Sequence, residues 1–288
     1  MTITEVDGRQ LRLTHLDRVL YPETGWTKAA ALRYYALVAP KLLPHLAGRP
    51  ASFLRFPGGV AEQRFWAKHL PAGAPDWLTT MQVTHSEGEL EQVVVADLPT
   101  LIWAANLGAL ELHVPQWRED PAEHDRLVVD LDPGPGMSVV ECCAVALLAR
   151  ELLVADGLTV WPKTSGAKGL HLAVPLRPTP ARTAGAYARE LAARLRVAHP
   201  GLVVDRMERR LRTGRVFVDW SQNNSAKTTA APYSLRAGRV PGVSTPLEWA
   251  EVAACRSAEQ LAFTPEQVAE RAGDPWAGVL EEANWGRL

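Results

Sequence analysis

The stretch Arg126-Leu-Val-Val-Asp-Leu-Asp-Pro-Gly-Pro-Gly136 decides how this chain is organised. Its apolar, β-branched residues predict a strand that carries two carboxylates, Asp130 and Asp132, and ends at a proline and a glycine. Because side chains alternate along a strand, both acids point to the same face, roughly 7 Å apart at the backbone. Like charges on one face repel unless they are neutralised, and a hard divalent cation with oxygen ligands neutralises them. The plainer alternative is a strand end with two solvated acids before a turn.

A third acid lies in another apolar run, Val216-Phe-Val-Asp219-Trp. Its neighbours are residue types that are usually buried, and a carboxylate among them is costly unless it is paired or bound to a metal. Three acids on two strands predict a cup for two divalent ions, which sites of in-line phosphoryl transfer hold about 3.5–4 Å apart. The pattern therefore favours Asp130, Asp132 and Asp219 as metal ligands.

The composition, with 47% hydrophobic and 22% charged residues among 288, is that of an ordinary globular protein. We expect one domain, residues 1–288, with peripheral helices at about 245–288. No apolar run reaches the length of a membrane span, and the N-terminus lacks the segments of a secretory signal. Three cysteines, at 142, 143 and 255, form neither a zinc spacing nor a disulfide framework, and the adjacent pair is predicted to pack in a helix core. These features favour a cytoplasmic protein without a membrane partner.

Positive charge is concentrated in one part of the chain. The net charge is −1, but residues 161–240 carry 15 Lys and Arg against 4 Asp and Glu. Solvated helix charges account for the arginines of a predicted helix at 180–198. They account poorly for five arginines between 206 and 215, which only Glu208 opposes. This asymmetry predicts a face that binds a polyanion such as nucleic acid.

Strand-like and helical segments follow each other irregularly. Hydrophobic periodicity and capping residues predict helices at Lys28 to about His45 (with Thr27 as N-cap), 98–107, 139–156 and 180–198, and a helical turn at 16–20. Strands are predicted at 10–14, 50–56, 110–114, 158–163, 170–176 and 216–220, with a hairpin around Ser86-Glu-Gly88. Because this order is not a strict βαβ alternation, we expect an α/β fold of the α+β kind, with a mixed rather than a parallel sheet.

The predicted loop Thr164-Ser-Gly-Ala-Lys-Gly169 joins two strands and combines two glycines, a hydroxyl and a lysine. Its backbone N–H groups, Ser165 and Lys168 make it a candidate anion cradle, although it lacks the spacing and following helix of a P-loop. The alternative is a polar hairpin with a solvated lysine. His171 follows on the outgoing strand, where the sequence fits a structural and a nucleotide-binding role equally well.

Three further segments are candidates for ligand contacts. Ser221-Gln-Asn-Asn-Ser-Ala-Lys227 follows the third acid, and its donors, Gln222 among them, fit either a nucleotide pocket or a surface loop. Arg236 suits a bidentate phosphate contact, although alone it is an ordinary arginine. Phe65-Trp66, with Lys68 nearby, fits either a stacking platform for bases or a partly buried core.

In their order along the chain, these motifs resemble the polymerase domain of bacterial ligase D, which belongs to the archaeo-eukaryotic primase superfamily and works in non-homologous end joining. The resemblance is carried by Asp130-Leu-Asp132-Pro-Gly, Thr164-Ser-Gly-Ala-Lys-Gly-Leu-His171, Phe217-Val-Asp219-Trp-Ser-Gln-Asn223 and Ala231-Pro-Tyr-Ser-Leu-Arg236. It extends to Leu13-Thr-His-Leu-Asp-Arg-Val-Leu-Tyr-Pro22, Gly25-Trp-Thr-Lys28 and Glu111-Leu-His-Val-Pro-Gln-Trp117, and so covers about Leu11 to Trp249. It implies a primase-polymerase-like catalytic core with flanking helices.

The resemblance also implies a role for each matched residue. Asp130, Asp132 and Asp219 would hold two Mn²⁺ or Mg²⁺ ions and carry out catalysis. The residues expected to contact the incoming nucleoside triphosphate, NTP or dNTP, are Ser165, Lys168, His113, Arg236, His171 and Gln222. The residues expected to contact DNA are Lys28 and Arg18 at the 5′-phosphate of the downstream strand, Phe65 and Trp66 near the template base, Arg55, and Arg212 at the synapsed end.

This sequence departs from the usual family pattern at two of these positions while keeping the chemistry. Arg18 stands where lysine is usual, and Trp66 stands where phenylalanine is commoner. The nuclease and ligase regions of full-length ligase D are not in this sequence, so we expect either a stand-alone polymerase or an excised domain.

Together these features predict a metal-dependent nucleotidyltransferase that adds nucleotides, ribonucleotides by resemblance, to a primer 3′-end at a gap or break. The expected partners are 5′-phosphorylated DNA and, by resemblance, an ATP-dependent DNA ligase and a Ku-type protein. The alternatives are a primase that starts chains de novo, a metal nuclease, and a non-catalytic module that bridges DNA ends. A nuclease needs no triphosphate cradle, so Lys168 and Arg236 count against it, and an intact third acid counts against the bridging module.

Overall fold

The computed structural model describes residues 1–85 and 88–288. Its helices are α1 (Lys28–Leu46), α2 (Leu98–Asn106), α3 (Val139–Ala155), α4 (Ala181–Ala198), α5 (Trp249–Ala254) and α6 (Pro265–Glu270). Its strands are β1 (Thr2–Val6), β2 (Arg9–Leu13), β3 (Val19–Tyr21), β4 (Trp26–Thr27), β5 (Ser52–Arg55), β6 (Phe65–Ala67), β7 (Thr80–His85), β8 (Gly88–Val93), β9 (Ala109–Val114), β10 (Glu123–Pro133), β11 (Trp161–Thr164), β12 (Leu170–Pro180), β13 (Val203–Val204), β14 (Val216–Asp219), β15 (Thr229–Ala230), β16 (Leu235–Arg236) and β17 (Gly242–Val243). The predicted mixed α/β fold is confirmed.

The chain forms two compact units. The first contains Met1–Pro115, Ala230–Val243 and Thr264–Arg271, and the second contains Gln116–Thr229, Ser244–Phe263 and Ala272–Leu288. The expectation of a single domain stays a prediction. In the described part of the chain, none of the helices combines the length and the apolar character that crossing a membrane requires.

The first unit is built from small antiparallel elements and three helices. Strand β5 lies between β6 and β9 in one sheet, and the pairs β1–β2, β3–β4, β7–β8 and β16–β17 form separate two-stranded ribbons. Thr27 caps α1 by accepting a hydrogen bond from the Ala30 N–H, as the sequence predicted. This unit positions His113 on β9 and Arg236 on β16.

The second unit contains a five-stranded sheet in the order β11-β12-β10-β14-β13. All neighbours in it are antiparallel except β13 and β14, which are parallel, so the sheet is mixed. Helix α3 begins at Ser138, where a capping box with Glu141 satisfies the first amide groups. Helices α3 and α4 pack on one face of this sheet and bury its main hydrophobic core.

Alternation along the strands separates this core from the polar face. On β10, Leu127, Val129 and Leu131 lie in the core with α3 and α4. The residues between them, including Asp130, therefore point to the opposite face. The adjacent cysteines of α3 are buried in the core, as predicted, and all three cysteines are free thiols. The sheet thus presents its acids on the face that the helices leave open.

The sequence located most long helices and strands to within a few residues, but it assigned the segment around β3 incorrectly. The predicted helical turn at 16–20 is wrong, because β3 begins at Val19 and pairs with β4. The carbonyls of Leu16 and Arg18 instead accept hydrogen bonds from the first amides of α1. The predicted hairpin is present as β7 and β8, but Ser86 and Glu87 of its turn lie outside the described residues.

Candidate active site

Four strands of the second unit place four polar side chains in one row across the sheet. Lys163 of β11 is opposite His171 of β12, His171 is opposite Asp130 of β10, and Asp130 is opposite Asp219 of β14. Directly opposed residues share a face of the sheet. All four side chains are buried, with 3 to 7% of their surface exposed. We call this set the acid row; it brings together two of the three predicted metal ligands.

Asp130 contacts two side chains, one from the acid row and one from the segment that follows Asp219. The His171 Nε2 atom lies 3.3 Å from Asp130 Oδ1, which is an ion-pair distance without hydrogen-bond geometry, and Gln222 Nε2 donates to Asp130 Oδ2 at 3.1 Å. Burial alone would raise the pKa of Asp130, but His171, Lys163 and Gln222 together outweigh it and lower the pKa. Asp130 is thereby kept ionised inside the protein.

Asp219 is held by the polar stretch that follows it. The Ser221 N–H donates to Asp219 Oδ1 at 3.0 Å, and Gln222 Nε2 donates to Asp219 Oδ2 at 3.1 Å. Lys227 Nζ lies 3.8 Å from the same Oδ2 atom. Gln222 therefore bridges Asp130 and Asp219 with one amide nitrogen, and its positive end lies between two carboxylates. The sequence predicted Gln222 as a nucleotide contact, and here its amide binds the acids.

Asp132, the remaining acid, is less well compensated. Burial and the charges of Asp130 and Asp219 raise the pKa of Asp132 to about 6, and Arg212 opposes the shift. Arg212 lies over the Phe217 ring, with its guanidinium carbon 3.7 Å from the ring centroid, and Phe217 is directly opposite Asp132 across the sheet. The predicted DNA contact Arg212 is thus beside the acids, stacked on an aromatic ring.

The donor chemistry of these acids fits a hard divalent cation. Asp130 Oδ1 is buried and lacks a hydrogen-bond donor, and the raised pKa of Asp132 reflects its burial and the negative charges of Asp130 and Asp219. The carboxylates are turned toward protein donors, however. Among residues 1–85 and 88–288, no three histidine, cysteine or acidic side chains are grouped so that they could hold a metal ion.

The loop between β11 and β12 is tightly seated beside this site. The Ser165 Oγ atom accepts hydrogen bonds from the N–H groups of Ala167 and Gly169, at 3.2 and 3.1 Å. A Cβ atom at Gly169 would lie 2.0 Å from the Leu131 carbonyl oxygen, so the loop requires glycine there. Lys168 is exposed, and it forms no hydrogen bond or ion pair with the described residues. The loop offers a lysine to an anion, while Ser165 is engaged within the loop itself.

Lys163 is a residue of this site that the sequence analysis missed. Its Nζ atom lies 3.0 Å from His171 Nδ1, 2.5 Å from Ser244 Oγ and 3.5 Å from the Thr164 carbonyl oxygen. A buried lysine is rare unless its charge is compensated. The short loop between the two strands was the available signal, because near-symmetric pairing across it places Lys163 opposite His171.

The first unit contains a second charged cluster, formed by Glu111, His113 and Arg236. Glu111 Oε2 lies 2.8 Å from His113 Nε2 and 3.0 Å from Arg236 Nη1, and Glu111 Oε1 accepts a hydrogen bond from the Ala237 N–H at 3.0 Å. Burial would raise the pKa of Glu111, but His113 and Arg236 outweigh it and lower the pKa. We call this set the Glu111 cluster. Glu111 was quoted in the sequence motif without a role, although alternation already placed it on the face of His113.

The predicted stacking residues lie on β6 in the same unit. Trp66 is 49% exposed and meets the His113 ring edge-on, with centroids 4.8 Å apart. Phe65 is 42% exposed and lies 5.0 Å from the guanidinium carbon of Arg55, whose Nε donates to the Leu107 carbonyl at 2.9 Å. Two exposed aromatic rings in contact with a histidine and an arginine have the composition of a base-stacking surface.

Lys28 and Arg18 lie close together at the start of α1. Burial and the nearby Arg18 charge lower the pKa of Lys28 to about 8. Lys28 Nζ donates to the Thr14 carbonyl at 2.6 Å. The helix start is not an open anion site of backbone amides, because the N–H groups of Lys28, Ala29 and Ala30 all have protein acceptors. The remaining attraction for an anion is the pair of cationic side chains.

The comparisons with known proteins agree with these motifs. The family described as LigD, primase-polymerase domain, matches residues 27–276. The multifunctional non-homologous end joining protein LigD of Mycolicibacterium smegmatis is 46% identical over 248 residues, which cover 85% of this chain and 32% of that protein. The bifunctional non-homologous end joining protein LigD of Bacillus subtilis is 30% identical over 264 residues, which cover 91% of this chain and 42% of that protein. The chain thus spans about a third to two fifths of the length of these relatives.

A solved structure matches nearly the whole chain. It is the polymerase domain of Mycobacterium tuberculosis ligase D in complex with DNA, with a TM-score of 0.90 and 42% identity, and the match covers 94% of this chain and 98% of that one. The family match includes the acid row and the Glu111 cluster. The chain therefore belongs to the LigD primase-polymerase domain family.

Proposed function

We propose that this protein is a DNA-repair polymerase that adds nucleotides to a primer 3′-end at gaps or broken ends, in non-homologous end joining. The observation that carries the proposal is the acid row, with Asp132 and the Lys168 loop beside it, in a chain of this family. Enzymes of metal-dependent phosphoryl transfer bind their metal ions with carboxylates that lie close together. The ions would be Mn²⁺ or Mg²⁺, held by Asp130, Asp132 and Asp219.

The chain's own residues would hold the ions and orient the acids in this reaction. Two bound ions would supply the chemistry by lowering the pKa of the primer hydroxyl and neutralising the leaving pyrophosphate. His171 and Gln222 contact Asp130, and Gln222 and Lys227 contact Asp219, so both acids are oriented before ligands arrive. Preorganised groups cost little reorganisation during the reaction. Gln222, which bridges the two acids, would also supply a donor for the nucleotide, as the sequence predicted.

The nucleotide would be recognised by charge-assisted hydrogen bonds to its triphosphate. Lys168 supplies an exposed ammonium, and Ser165 fixes the loop that carries it. His113 and Arg236 are the corresponding groups of the Glu111 cluster, and both are paired with Glu111. Ribonucleotides are the expected substrates by family resemblance. The assay below therefore compares NTPs with dNTPs.

DNA would be bound by cations and by exposed rings. Lys28 and Arg18 would hold the 5′-phosphate of the downstream strand, since two adjacent cations attract a doubly charged terminal phosphate more strongly than a diester. Phe65 and Trp66, with Arg55, would stack near the template base. Arg212 would contact DNA at the synapsed end. An ATP-dependent DNA ligase and a Ku-type protein are the proposed partners, and the proposed location is the bacterial cytoplasm, at the nucleoid.

One assay tests the proposal against its competitors. The full chain is incubated with a gapped duplex that carries a labelled primer and a 5′-phosphate, with NTPs or dNTPs, and with Mn²⁺, Mg²⁺ or EDTA. A polymerase extends the primer only with metal, and a primer with a blocked 3′-end stays unchanged. Products from an unprimed template would identify a primase that starts chains de novo, and shortening of the label would identify a nuclease. If DNA is bound but unchanged with every nucleotide and metal, the non-catalytic bridging module replaces our proposal.

A further inference from the structure

Arg236 lies in a segment that side-chain hydroxyl groups join to strand β9. We call this segment, residues 231–237, the strap. At its start, the Ala231 N–H donates to the Leu112 carbonyl of β9 at 2.9 Å, as in a strand ladder. Further along, Tyr233 has a φ of +65°, in the left-handed region that a side chain disfavours. The strap therefore leaves the extended conformation that a regular ladder requires.

Two buried hydroxyl groups join the strap to β9 beyond this point. The Tyr35 hydroxyl donates to the Leu110 carbonyl of β9 at 2.6 Å and accepts a hydrogen bond from the Leu235 N–H of the strap at 3.1 Å. The Ser234 Oγ atom of the strap accepts a hydrogen bond from the Leu112 N–H of β9 at 2.8 Å. Both side chains are 0% exposed. Because buried backbone groups are nearly always hydrogen-bonded, these hydroxyls act as the partners that a neighbouring strand would otherwise provide.

The position of the strap on β9 decides where the Arg236 guanidinium lies. Strand β9 carries Glu111 and His113, and Arg236 Nη1 lies 3.0 Å from Glu111 Oε2 and 3.3 Å from His113 Nε2. At the end of the strap, the Ala237 N–H donates to Glu111 Oε1 at 3.0 Å. Contacts of this length weaken steeply when the groups move apart, so a displacement of about 1 Å would separate the guanidinium from its partners on β9.

We propose that Tyr35 and Ser234 are positioning residues that fix the strap on β9 and thereby hold the Arg236 guanidinium in place for the triphosphate of the nucleotide. The identity of the ligand rests on the proposed function. Both hydroxyls are buried against backbone groups, so they act through Arg236 rather than on the nucleotide. A side chain that contacts a ligand is held accurately only when the groups behind it are themselves fixed by hydrogen bonds.

Two other tyrosines contact the strap from outside β9. The Tyr21 hydroxyl of β3 donates to the Arg236 carbonyl at 3.0 Å, and the Tyr34 hydroxyl of α1 donates to the Tyr233 carbonyl at 2.8 Å. Tyr34 is the matched control for Tyr35, because it is adjacent in the same helix and its hydroxyl is also buried on the strap. Removing it deletes a buried hydrogen bond of the strap and leaves both hydroxyl links to β9 in place.

The first test measures the affinity of the full chain for ATP by calorimetry, with Mg²⁺ and without DNA. Tyr35→Phe removes the hydroxyl and keeps the buried ring. We expect Tyr35→Phe and Ser234→Ala each to weaken ATP binding by about fivefold to tenfold, and Tyr34→Phe to stay within about twofold of the wild type. Wild-type affinity in both Tyr35→Phe and Ser234→Ala overturns the proposal, and wild-type affinity in one of them removes that residue from it. An equal loss in Tyr34→Phe also overturns it, because the links to β9 would then have no special role.

The second test asks whether the two hydroxyls act through Arg236. Each variant is combined with Arg236→Ala, and the ATP affinities complete a double-mutant cycle. In the Arg236→Ala background we expect Tyr35→Phe and Ser234→Ala to change the affinity by less than about twofold, because the group that they position is absent. Equal losses in both backgrounds would show that the hydroxyls act without Arg236.

Affinity for DNA separates positioning from a general loss of structure. Tyr35→Phe and Ser234→Ala should bind a gapped duplex as the wild type does, and a parallel loss of DNA and ATP affinity would show that the hydroxyls only support the fold. Unfolding temperatures identify variants that are misfolded, since a buried backbone group without a partner is costly. If Tyr35→Phe does not fold, Ser234→Ala carries both tests.

Primer extension by the wild type separates this inference from the proposed function. If the wild type extends primers but the hydroxyl variants show no loss of ATP affinity that depends on Arg236, the inference fails while the proposed function stands. If the wild type extends no primer but the loss of ATP affinity depends on Arg236 as expected, the proposed function fails while the positioning role stands. A wild type that binds no ATP overturns the inference, and the extension assay still decides the function.

Discussion

The acid row and the Glu111 cluster gather charge in opposite ways. In the acid row, two carboxylates are the groups expected to meet the ligands, and a buried cation, Lys163, lies at the end of the row. In the Glu111 cluster, the expected ligand contacts are the cationic Arg236 and His113, and the buried group is an acid. Each site holds a partner of the opposite character away from solvent. The protein therefore orients charged groups without cancelling the charge that the ligand is expected to meet.

The two sites differ in how completely neighbouring positive charges compensate their buried carboxylates. Glu111 has a lowered pKa, because His113 and Arg236 outweigh its burial. Asp132, beside the acid row, has a pKa raised to about 6, mainly by burial and by the charges of Asp130 and Asp219. In the Glu111 cluster, His113 and Arg236 compensate the charge of the buried acid. The negative charge of Asp130, Asp132 and Asp219 is only partly compensated by the protein. This contrast predicts that mutations at the acids mainly change activity, and mutations in the Glu111 cluster change stability as well.

The largest expected effect follows from removing one acid. We expect Asp219→Ala to reduce primer extension by at least about a thousandfold, because several kcal/mol of transition-state charge stabilisation are lost with a metal ligand. The fold and the affinity for DNA should remain largely intact, since the change also relieves repulsion with Asp130 and Asp132. Single-turnover extension and thermal unfolding measure both effects.

A matched control is Asp156→Ala, which removes a carboxylate that pairs with Arg194 on the surface of the same unit. This control should keep wild-type extension. If Asp219→Ala also extends primers at the wild-type rate with metal present, the acid row is not the catalytic site.

The next effect compares Lys168 with Arg236. Each is proposed as a charge-assisted contact to the triphosphate, so each alanine variant should raise the KM for nucleotide by about tenfold to a hundredfold, and the Kd for DNA much less. The two variants should differ in stability. Lys168 is exposed and forms no ion pair with described residues, but Arg236 is paired with buried Glu111. Only Arg236→Ala should lower the unfolding temperature.

Equal losses of nucleotide and DNA affinity in either variant would assign that residue to general attraction for nucleic acid. Measuring both constants over a range of salt concentrations makes this distinction, because contacts to the DNA backbone weaken steeply as salt rises. A normal unfolding temperature for Arg236→Ala would show that the Glu111 cluster does not depend on its ion pair.

A third prediction tests Glu111 directly. Its folded pKa lies below its ordinary value of 4.5, so ionised Glu111 stabilises the fold above that pH, and the contribution disappears as the pH falls through the folded pKa. Glu111→Gln should therefore cost about 1–3 kcal/mol of unfolding free energy at pH 7. The gap between wild type and variant should narrow as the pH is lowered below 4.5. A gap that stays constant down to pH 3 would contradict the ion-pair account; denaturant unfolding at each pH measures it.

The sequence predicted the groups that ligands are expected to meet and missed the buried groups that hold them. Alternation on a strand placed Asp130 and Asp132 on one face, and the apolar run around Asp219 indicated its burial. The pattern of Trp161-Pro-Lys-Thr164 alone does not show that Lys163 is opposite His171, because that contact depends on the register across the following loop, and a slip of one residue would turn the lysine to the other face.

The helix start of α1 shows a second limit. The sequence predicted Thr27 as N-cap and Lys28 in the first turn, and both positions are confirmed, while the resemblance implied that Lys28 contacts a 5′-phosphate. The amides of that turn are nevertheless occupied by carbonyls of Leu16 and Arg18, which a sequence pattern cannot show. What remains is a pair of like charges, and this gives the last and smallest prediction.

Lys28 and Arg18 differ from the acid row and the Glu111 cluster, each of which contains a buried partner of opposite charge. Among residues 1–85 and 88–288, no carboxylate lies within ion-pair distance of Lys28, and the charge that lowers its pKa, after burial, is that of Arg18. The missing partner would be the 5′-phosphate of DNA.

Because the pKa of Lys28 is lowered to about 8, the ammonium is lost as the pH rises through this value. The preference for 5′-phosphorylated over 5′-hydroxyl gaps should therefore fall by about fivefold between pH 8 and pH 9, in proportion to the protonated fraction of Lys28. Competition binding at constant ionic strength measures the preference. Lys28→Arg should retain it across this range, because guanidinium keeps its charge, and Lys28→Ala should abolish it at every pH while leaving affinity for 5′-hydroxyl DNA nearly unchanged. If the wild type binds both gaps equally at pH 7, the 5′-phosphate pocket is wrong, and the two cations belong to the general attraction for DNA.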